Sequence, residues 1–364
     1  MSRPTDAPVL VSRHVDGWLV GWLAVLVWIA AFASQHLGIS VGLNVTMAVY
    51  WVGAVITAAH FGLSYHLAYS SGVSAIRARP FALLVAPAIL ALVLAATVAV
   101  SLESGPTSTT WLTSALITSV YLATTWHYIK QVYGVGRVGA AFAGISLTAA
   151  DVRVLRYGLY PLWFLGAAQL LIRGSGYNLV GYRVGFSLLP AAALGGLRAL
   201  AICCAIPVAV VFAQLRARSG SWPPALLVAP YAAAFVWLGL PPNLILTLLL
   251  LAPFHALQYL AIGHRAELAV AASRSGPHGA FWWLNIFAGA ACGGLLLSRW
   301  LPQLLDAHLR NGGQGPLLFA AAFFVFLNVH HYVIDASIWR SKGELVRAMV
   351  RRGSSTPAPE LVRT

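Results

Sequence analysis

Apolar runs of about twenty residues recur from Trp18 to Ile338 with short polar breaks between them, each long enough to cross the ~30 Å hydrocarbon core of a bilayer. They predict helices near 17–35, 44–69, 81–101, 110–132, 154–173, 196–215, 224–240, 243–263, 280–298 and 316–339. Only Leu240-Pro241-Pro242-Asn243 separates the seventh run from the eighth. The stretch 139–151 is apolar but too short to span, which places it along the membrane interface. No segment shows the alternation of apolar and polar residues that a transmembrane β-barrel strand needs. The expected fold is all-α: a polytopic integral membrane helix bundle of about ten transmembrane helices over residues 1–340. A basic tail follows at 341–364, read as a surface helix that frays.

Composition supports a membrane protein and excludes a soluble one, since 59% of residues are hydrophobic and 9% charged, against roughly a quarter charged in soluble domains. Cys203, Cys204 and Cys292 lie in apolar surroundings without C-x-x-C spacing and read as packing residues. Arg3 and Arg13 precede the first run, and Ala31-Phe32-Ala33 looks like a signal-peptidase site. The leading segment also holds Asp6 and Asp16, so an uncleaved first helix is the preferred reading.

The basic residues set the orientation. Of the 23 Lys and Arg, only Arg173, Arg183, Arg198, Arg299 and Arg310 fall on one side; the others lie at the N-terminus, in the loops after even-numbered spans and in the tail. Retention of positive charge inside predicts both termini cytoplasmic, in a multi-pass protein of the bacterial inner membrane. The formal charge of +14 then reflects basic loops beside an anionic leaflet and implies membrane lipids, not nucleic acid, as partners.

Where the histidines fall matters more than their number. His60 and His66 are late in the second span, His127 late in the fourth, His255 in the second half of the eighth, and His330 and His331 late in the tenth. Even spans run in one direction, so these six share one depth in the cytoplasmic half of the membrane. Most have a polar companion three or four positions away on the same face: Ser64 for His60, Lys130 and Gln131 for His127, Gln258 for His255, Asn328 and Asp335 for His331. Polar faces are costly in lipid and turn inward, and intramembrane ionisable residues are functional candidates by default. Histidine is the commonest metal ligand, and a bound ring is usually oriented through its second nitrogen. The candidate ligands are therefore His60, His66, His127, His255, His330 and His331, with Asp335, Gln258 and Gln131 as the catalytic or orienting polar groups and Asn328 beside them. Two ions with about three ligands each would keep open positions. His330 and His331 point about 100° apart, so one of them is a ligand and the other supports it.

For His66, nearest the helix end, and for His264, close to Arg265 and Glu267, a hydrogen-bonded or snorkelling side chain is the preferred reading over a ligand. His14, His36, His278 and His308 receive no role. Tyr65, Trp126, Tyr128, Tyr259, Tyr332 and Trp339 flank the histidines and read as an interfacial aromatic belt. Gly134-Val135-Gly136-Arg137-Val138-Gly139 matches the dinucleotide pattern, but a transmembrane helix precedes it where a strand is required. Gly289 and Gly293 have the spacing of close helix packing. Asn44-Val45-Thr46 fits a glycosylation sequon at the mouth of a helix. H-E-x-x-H, phosphate-loop and G-x-S-x-G patterns are absent. Asp335 is the only acid within the layer, which disfavours a ferritin-like carboxylate site.

This layer resembles, at class level, the histidine-rich integral-membrane non-haem iron enzymes: desaturases, hydroxylases and related oxygenases acting on lipids. HFGLSYH spaces its histidines by six and the terminal pair stands in NVHHYVID, so the H-x-x-x-H and H-x-x-H-H boxes are absent and no residue role transfers. The resemblance implies an iron-dependent oxidoreductase or oxygenase, mononuclear or dinuclear, with a lipophilic substrate and a redox partner. Copper is an alternative metal. Two other readings use the same residues: a bis-histidine haem electron-transfer protein, and a transporter of a metal ion or small solute. On the metal-enzyme reading, His330→Ala or His255→Ala is expected to abolish bound metal.

Overall fold

The structure, a computed structural model, describes residues 8–39, 42–104, 106–173, 177–241, 244–271, 280–309, 316–340 and 343–351. It is a helical bundle. A π-helical turn at Trp18–Trp22 leads into α1 (Leu23–His36), followed by α2 (Leu43–Tyr69), α3 (Val73–Ala78), a π-turn at Phe81–Val85, α4 (Ala86–Ser104) and α5 (Pro106–Phe142). Then come α6 (Ala149–Tyr157), α7 (Tyr160–Arg173), a hairpin of β1 (Tyr177–Leu179) and β2 (Tyr182–Val184), α8 (Ala192–Ser219) and α9 (Ala225–Ala234) with a π-turn at Phe235–Gly239. The chain ends with α10 (Leu244–Ala271), α11 (Ala280–Leu295), a π-turn at Leu296–Trp300, α12 (Leu301–Leu309), α13 (Leu318–Ile338) and α14 (Glu344–Arg351).

Among the described residues, six helices are long and apolar enough to cross a membrane: Trp18–His36, Asn44–Tyr69, Phe81–Glu103, Ala192–Ser219, Trp282–Leu309 and Leu318–Ile338. Ten were expected, and three of the remaining runs depart for visible reasons. The run at 110–132 belongs to α5, whose Thr, Ser and aromatic residues lower its hydropathy. The run at 154–173 is divided between α6 and α7, and Ala225–Gly239 is short. The stretch 139–151 is not one interfacial segment, because α5 continues to Phe142 and α6 starts at Ala149. A capping box fixes that start: the Asp151 N–H donates to Thr148 Oγ1 at 3.1 Å and the Thr148 N–H to Asp151 Oδ2 at 2.9 Å. Arg218 on α8 donates to the same carboxylate at 2.7 Å. Burial alone would raise the Asp151 carboxyl, but the Thr148 N–H and the Arg218 guanidinium outweigh it and hold the group below its ordinary range.

Other acids also serve as caps. Asp306 accepts the N–H groups of Phe319 and Ala320 at 3.0 and 2.9 Å, meeting two of the unpaired donors at the start of α13. Asp16 accepts from the backbone of Leu10, Val11 and Ser12 and folds the N-terminal segment beneath the bundle. The tail helix α14 packs on α10 and buries Met349 with Leu10 and Val20.

The β-hairpin has no counterpart in the sequence expectation. Tyr177 pairs with Val184 and Leu179 with Tyr182, and Val180 and Gly181 turn the chain with positive φ. Glycine adopts that conformation freely, whereas β-branched Val180 is strained in it. Tertiary contacts hold the turn: Leu317 N–H donates to the Val180 carbonyl at 2.7 Å, Gly185 N–H donates to Thr118 Oγ1 at 2.8 Å, and Tyr182 and Val184 are fully buried.

Helix α2 packs between α10 and α11. It meets α11 through Gly62 against Ala290 and Ala58 against Gly294, where an added Cβ would fall on the facing backbone carbonyl. Gly289 and Gly293 do not make this contact: nothing lies within 4 Å of a Cβ built at either. The packing face is displaced by one residue from the expected pair, with Ala290 and Gly294 carrying the small-residue spacing. Gly62→Val and Gly294→Val should therefore destabilise the bundle by several kcal/mol, roughly the cost of severe overpacking or worse. Gly289→Ala and Gly293→Ala should be close to neutral. Thermal unfolding in detergent checks the contrast, and equal effects at all four positions would refute it.

Candidate metal centre

Four helices converge on one point. His60 comes from α2, His127 from α5, His255 from α10 and His331 from α13; His60, His255 and His331 are buried and His127 is mostly so. His331 is the hub: its Nε2 lies 2.8 Å from His60 Nε2, 3.2 Å from His127 Nε2 and 3.4 Å from Asp335 Oδ2. Asp335 Oδ2 is also 3.6 Å from His127 Nε2. The ring of His255 sits 4.9 Å, centre to centre, from those of His60 and His127. Ligand atoms of His60, His255 and His331 fall within 4.8 Å of one another, as do those of His127, His331 and Asp335.

The α13 register explains the hub. His331 and Asp335 are one turn apart and share a face, while His330 is rotated about 100° away. On α2, His60 and Ser64 share a face in the same manner.

Hydrogen bonding prepares His331 for a cation. Ser64 Oγ donates to Asp335 Oδ1 at 3.2 Å and so has spent its one proton. Its contact with His331 Nδ1 at 3.0 Å then has the ring N–H as donor. That tautomer leaves Nε2 with a lone pair aimed at the centre. One lone pair satisfies one donor, yet Nε2 faces two imidazole nitrogens and a carboxylate oxygen. His255 carries the same signature, because both of its ring nitrogens are buried without a hydrogen-bond partner among the described residues. Nitrogens bound to one ion at about 2.0–2.1 Å and roughly 90–110° apart are separated by about 2.9–3.4 Å. The spacings of 2.8 and 3.2 Å around His331 lie close to that range, so the donor set fits a transition metal.

Tyrosines fix the rings. Tyr259 stacks on His60 at 4.3 Å, Tyr332 on His127 at 4.6 Å and Tyr128 on His255 at 4.2 Å. Tyr259 also donates to Asp335 Oδ1 at 3.1 Å. These three are not an interfacial belt; they line the centre. The sequence did carry a signal for them, since each is one or four positions from a histidine: His127-Tyr128, His255 with Tyr259, and His331-Tyr332.

The remaining candidates lie away from the convergence. His330 Nε2 is 3.0 Å from the Ala82 carbonyl, which can only accept, so that nitrogen carries the proton and Nδ1 accepts from Tyr65 Oη at 2.9 Å. Both of its nitrogens are engaged. His66 pairs with Glu267 at 3.2 Å on the partly exposed side of α2. Gln131 donates to the His255 carbonyl at 2.8 Å and to Gln258 Oε1 at 3.1 Å, and Gln258 donates to the Val20 carbonyl at 2.6 Å. These amides hold the α5–α10 contact and the π-turn before α1, acting on the backbone beneath His255 and not on its ring. Asn328 bonds the Phe324 carbonyl and accepts from Tyr332 Oη. His264 bonds the Leu10 carbonyl at 2.9 Å.

Comparison with known proteins found no matching family model, no matching curated protein and no matching solved structure.

Proposed function

We propose that the protein is a membrane-embedded oxidoreductase or oxygenase whose centre holds one redox-active metal ion, iron before copper, and whose substrate is lipophilic and drawn from the bilayer. The observation that carries this reading is the convergence of four imidazoles and a carboxylate on one point, with both ring nitrogens of His255 buried and without a hydrogen-bond partner among the described residues. His60, His127, His255 and His331 would be the ligands, with Asp335 the charged one. Imidazole suits iron, copper, nickel and zinc, and five donors leave an octahedral ion with an open position. The metal, when bound, would supply one-electron redox chemistry to the site. Ser64 and Tyr259 orient Asp335, Ser64 sets the His331 tautomer, and the stacked tyrosines keep water from the rings.

A single ion is favoured over two because the two candidate triads share His331 through the same nitrogen. The haem alternative is disfavoured by ring spacing. Axial nitrogens on one iron sit about 4 Å apart with a porphyrin between them, whereas these rings touch directly. The other chemistry expected from the resemblance, a redox partner that delivers electrons, would meet the basic cytoplasmic surface.

Elemental analysis of detergent-purified protein grown with iron tests the centre. About one ion per chain is expected, lost in His331→Ala and His255→Ala, retained in His330→Ala and His66→Ala, and weakened roughly 10–100-fold in affinity by Ser64→Ala. Full metal content in His331→Ala, or none in the wild type, would sink this assignment.

We also propose that the four helical segments outside the six apolar ones complete ten crossings in a bacterial inner membrane, with both termini cytoplasmic. Alkaline phosphatase fused after Thr364 should be inactive, and one inserted between Val184 and Ala192 active. The reverse pattern refutes this topology.

A further inference from the structure

A cleft of about 580 Å³ lies between α2, α11 and α13. It exists because two side chains are missing from one face of α11: Gly289 and Gly293 are one turn apart, and a Cβ at either meets nothing. The cleft is therefore about one side chain wide. Its lining runs from Trp282 to Leu297, fifteen helical positions or about 22 Å. Polarity is confined to one end. There Asn285 is exposed within an otherwise apolar helix, with His66 and its Glu267 partner across from it on α2 and α10. An exposed amide among apolar side chains offers a donor and an acceptor that a ligand head group can pair with. The other end is apolar.

Phe61 joins this cleft to the centre. Its ring lines the cleft and also stands edge-on to His331 at 5.3 Å and beside His60 at 5.5 Å. The neighbouring Gly62 opposes Ala290, five positions beyond Asn285, so Phe61 stands about 8 Å along the cleft from the polar end.

Resting on the metal-centre reading, we propose that the cleft is the substrate site. Its occupant is a single-chain lipid with a small hydrogen-bonding head group, such as a carboxylic acid, alcohol or amide. The head pairs with Asn285 near His66, the chain lies against Gly289 and Gly293, and the carbons about 8 Å from the head pass Phe61, which separates them from the histidines. Phe61 is a positioning residue that decides which carbons approach. The chain reaches the slot laterally, since Leu284, Phe287 and Leu296 beside it are exposed to the lipid phase.

The test uses the full chain in lipid nanodiscs with a probe: palmitic acid carrying a diazirine midway along its chain, photolysed and mapped by peptide mass spectrometry, with metal measured on the same sample. Labelling should concentrate on the peptides containing Phe61 and Gly293 and fall about tenfold in Gly293→Leu, which fills the slot, with metal content unchanged. Asn285→Leu removes only the head partner and should lower labelling without filling anything, which keeps the test open if Gly293→Leu misfolds. Phe61→Ala should add label to the peptide bearing His331. Equal labelling in Gly293→Leu and wild type, or labelling spread evenly over lipid-facing helices, overturns the cleft. Metal retained without labelling removes the cleft alone. Labelling in a metal-free wild type supports the cleft and removes the metal centre.

Discussion

Four imidazoles and a carboxylate lie in the middle of a bundle whose outer surface is hydrocarbon, and every other packing choice has to accommodate them. Lipid satisfies none of their polar atoms, and each one left unpaired in a dry interior costs about 1–3 kcal/mol. Turning these residues of α2, α5, α10 and α13 toward each other removes their polar atoms from lipid. His331 and Asp335 sit where the four helices meet, and Ser64 and Tyr259 take up the carboxylate oxygen that faces away from the rings. The inward faces are thus fixed by polar convergence, since van der Waals contact between apolar helices in lipid distinguishes one rotation poorly from another.

That convergence was legible in the sequence because it depends on helix direction and depth, which hydropathy and basic loops determine. His60, His127, His255 and His331 lie late in the expected even-numbered spans, and those are the four that meet; the observed α5 and α10 run on well past their histidines, to Phe142 and Ala271. Rotation about each helix was less legible. His330 and His331 differ by one position and by about 100°, and only contacts with Ala82 and Tyr65 show which of them faces outward. His66 lies six positions after His60, too far round and too near the helix end for the same face. Gln131 and Gln258 are on the correct helices, but a long amide reaches backbone carbonyls that no spacing rule reveals. The tyrosines were misassigned for a related reason: Tyr at a membrane depth near the interface is ordinary, and stacking on a ring is invisible without knowing where that ring points.

Close approach of helices follows a similar division. Small residues four apart on α11 were visible, yet two such pairs are offset by one position, Gly289 with Gly293 and Ala290 with Gly294. Only the second pair presses against α2, so the first leaves space along the same interface. One helix therefore brings α2 close through one pair and opens a lipid-facing cleft through the other. Phe61 and Gly62, adjacent on α2, express both outcomes, the glycine at the tight contact and the ring between the cleft and the histidines. The hairpin at Tyr177–Val184 was hidden because its strands are three residues each and its stability comes from Thr118 and Leu317, remote in sequence.

On the proposed reading, charge balance at the centre would come from a metal ion. Asp335 as a carboxylate needs a positive neighbour, and the groups within reach are His331 and His127 at 3.4 and 3.6 Å. A proton on one of those rings would compensate the carboxylate through a single contact. It would also place a positive ring against His60 and His255, whose lone pairs it could satisfy only one at a time. A divalent cation at the same point would address Asp335 and four nitrogens together, including one nitrogen of His255, whose ring has no hydrogen-bond partner among the described residues, and would stabilise the ionised form of Asp335. The aromatic and apolar shell around the rings keeps the effective dielectric low, which makes each of those interactions stronger than it would be in water. The same shell strongly penalises an incomplete ligand set, so the four histidines and Asp335 act as one unit.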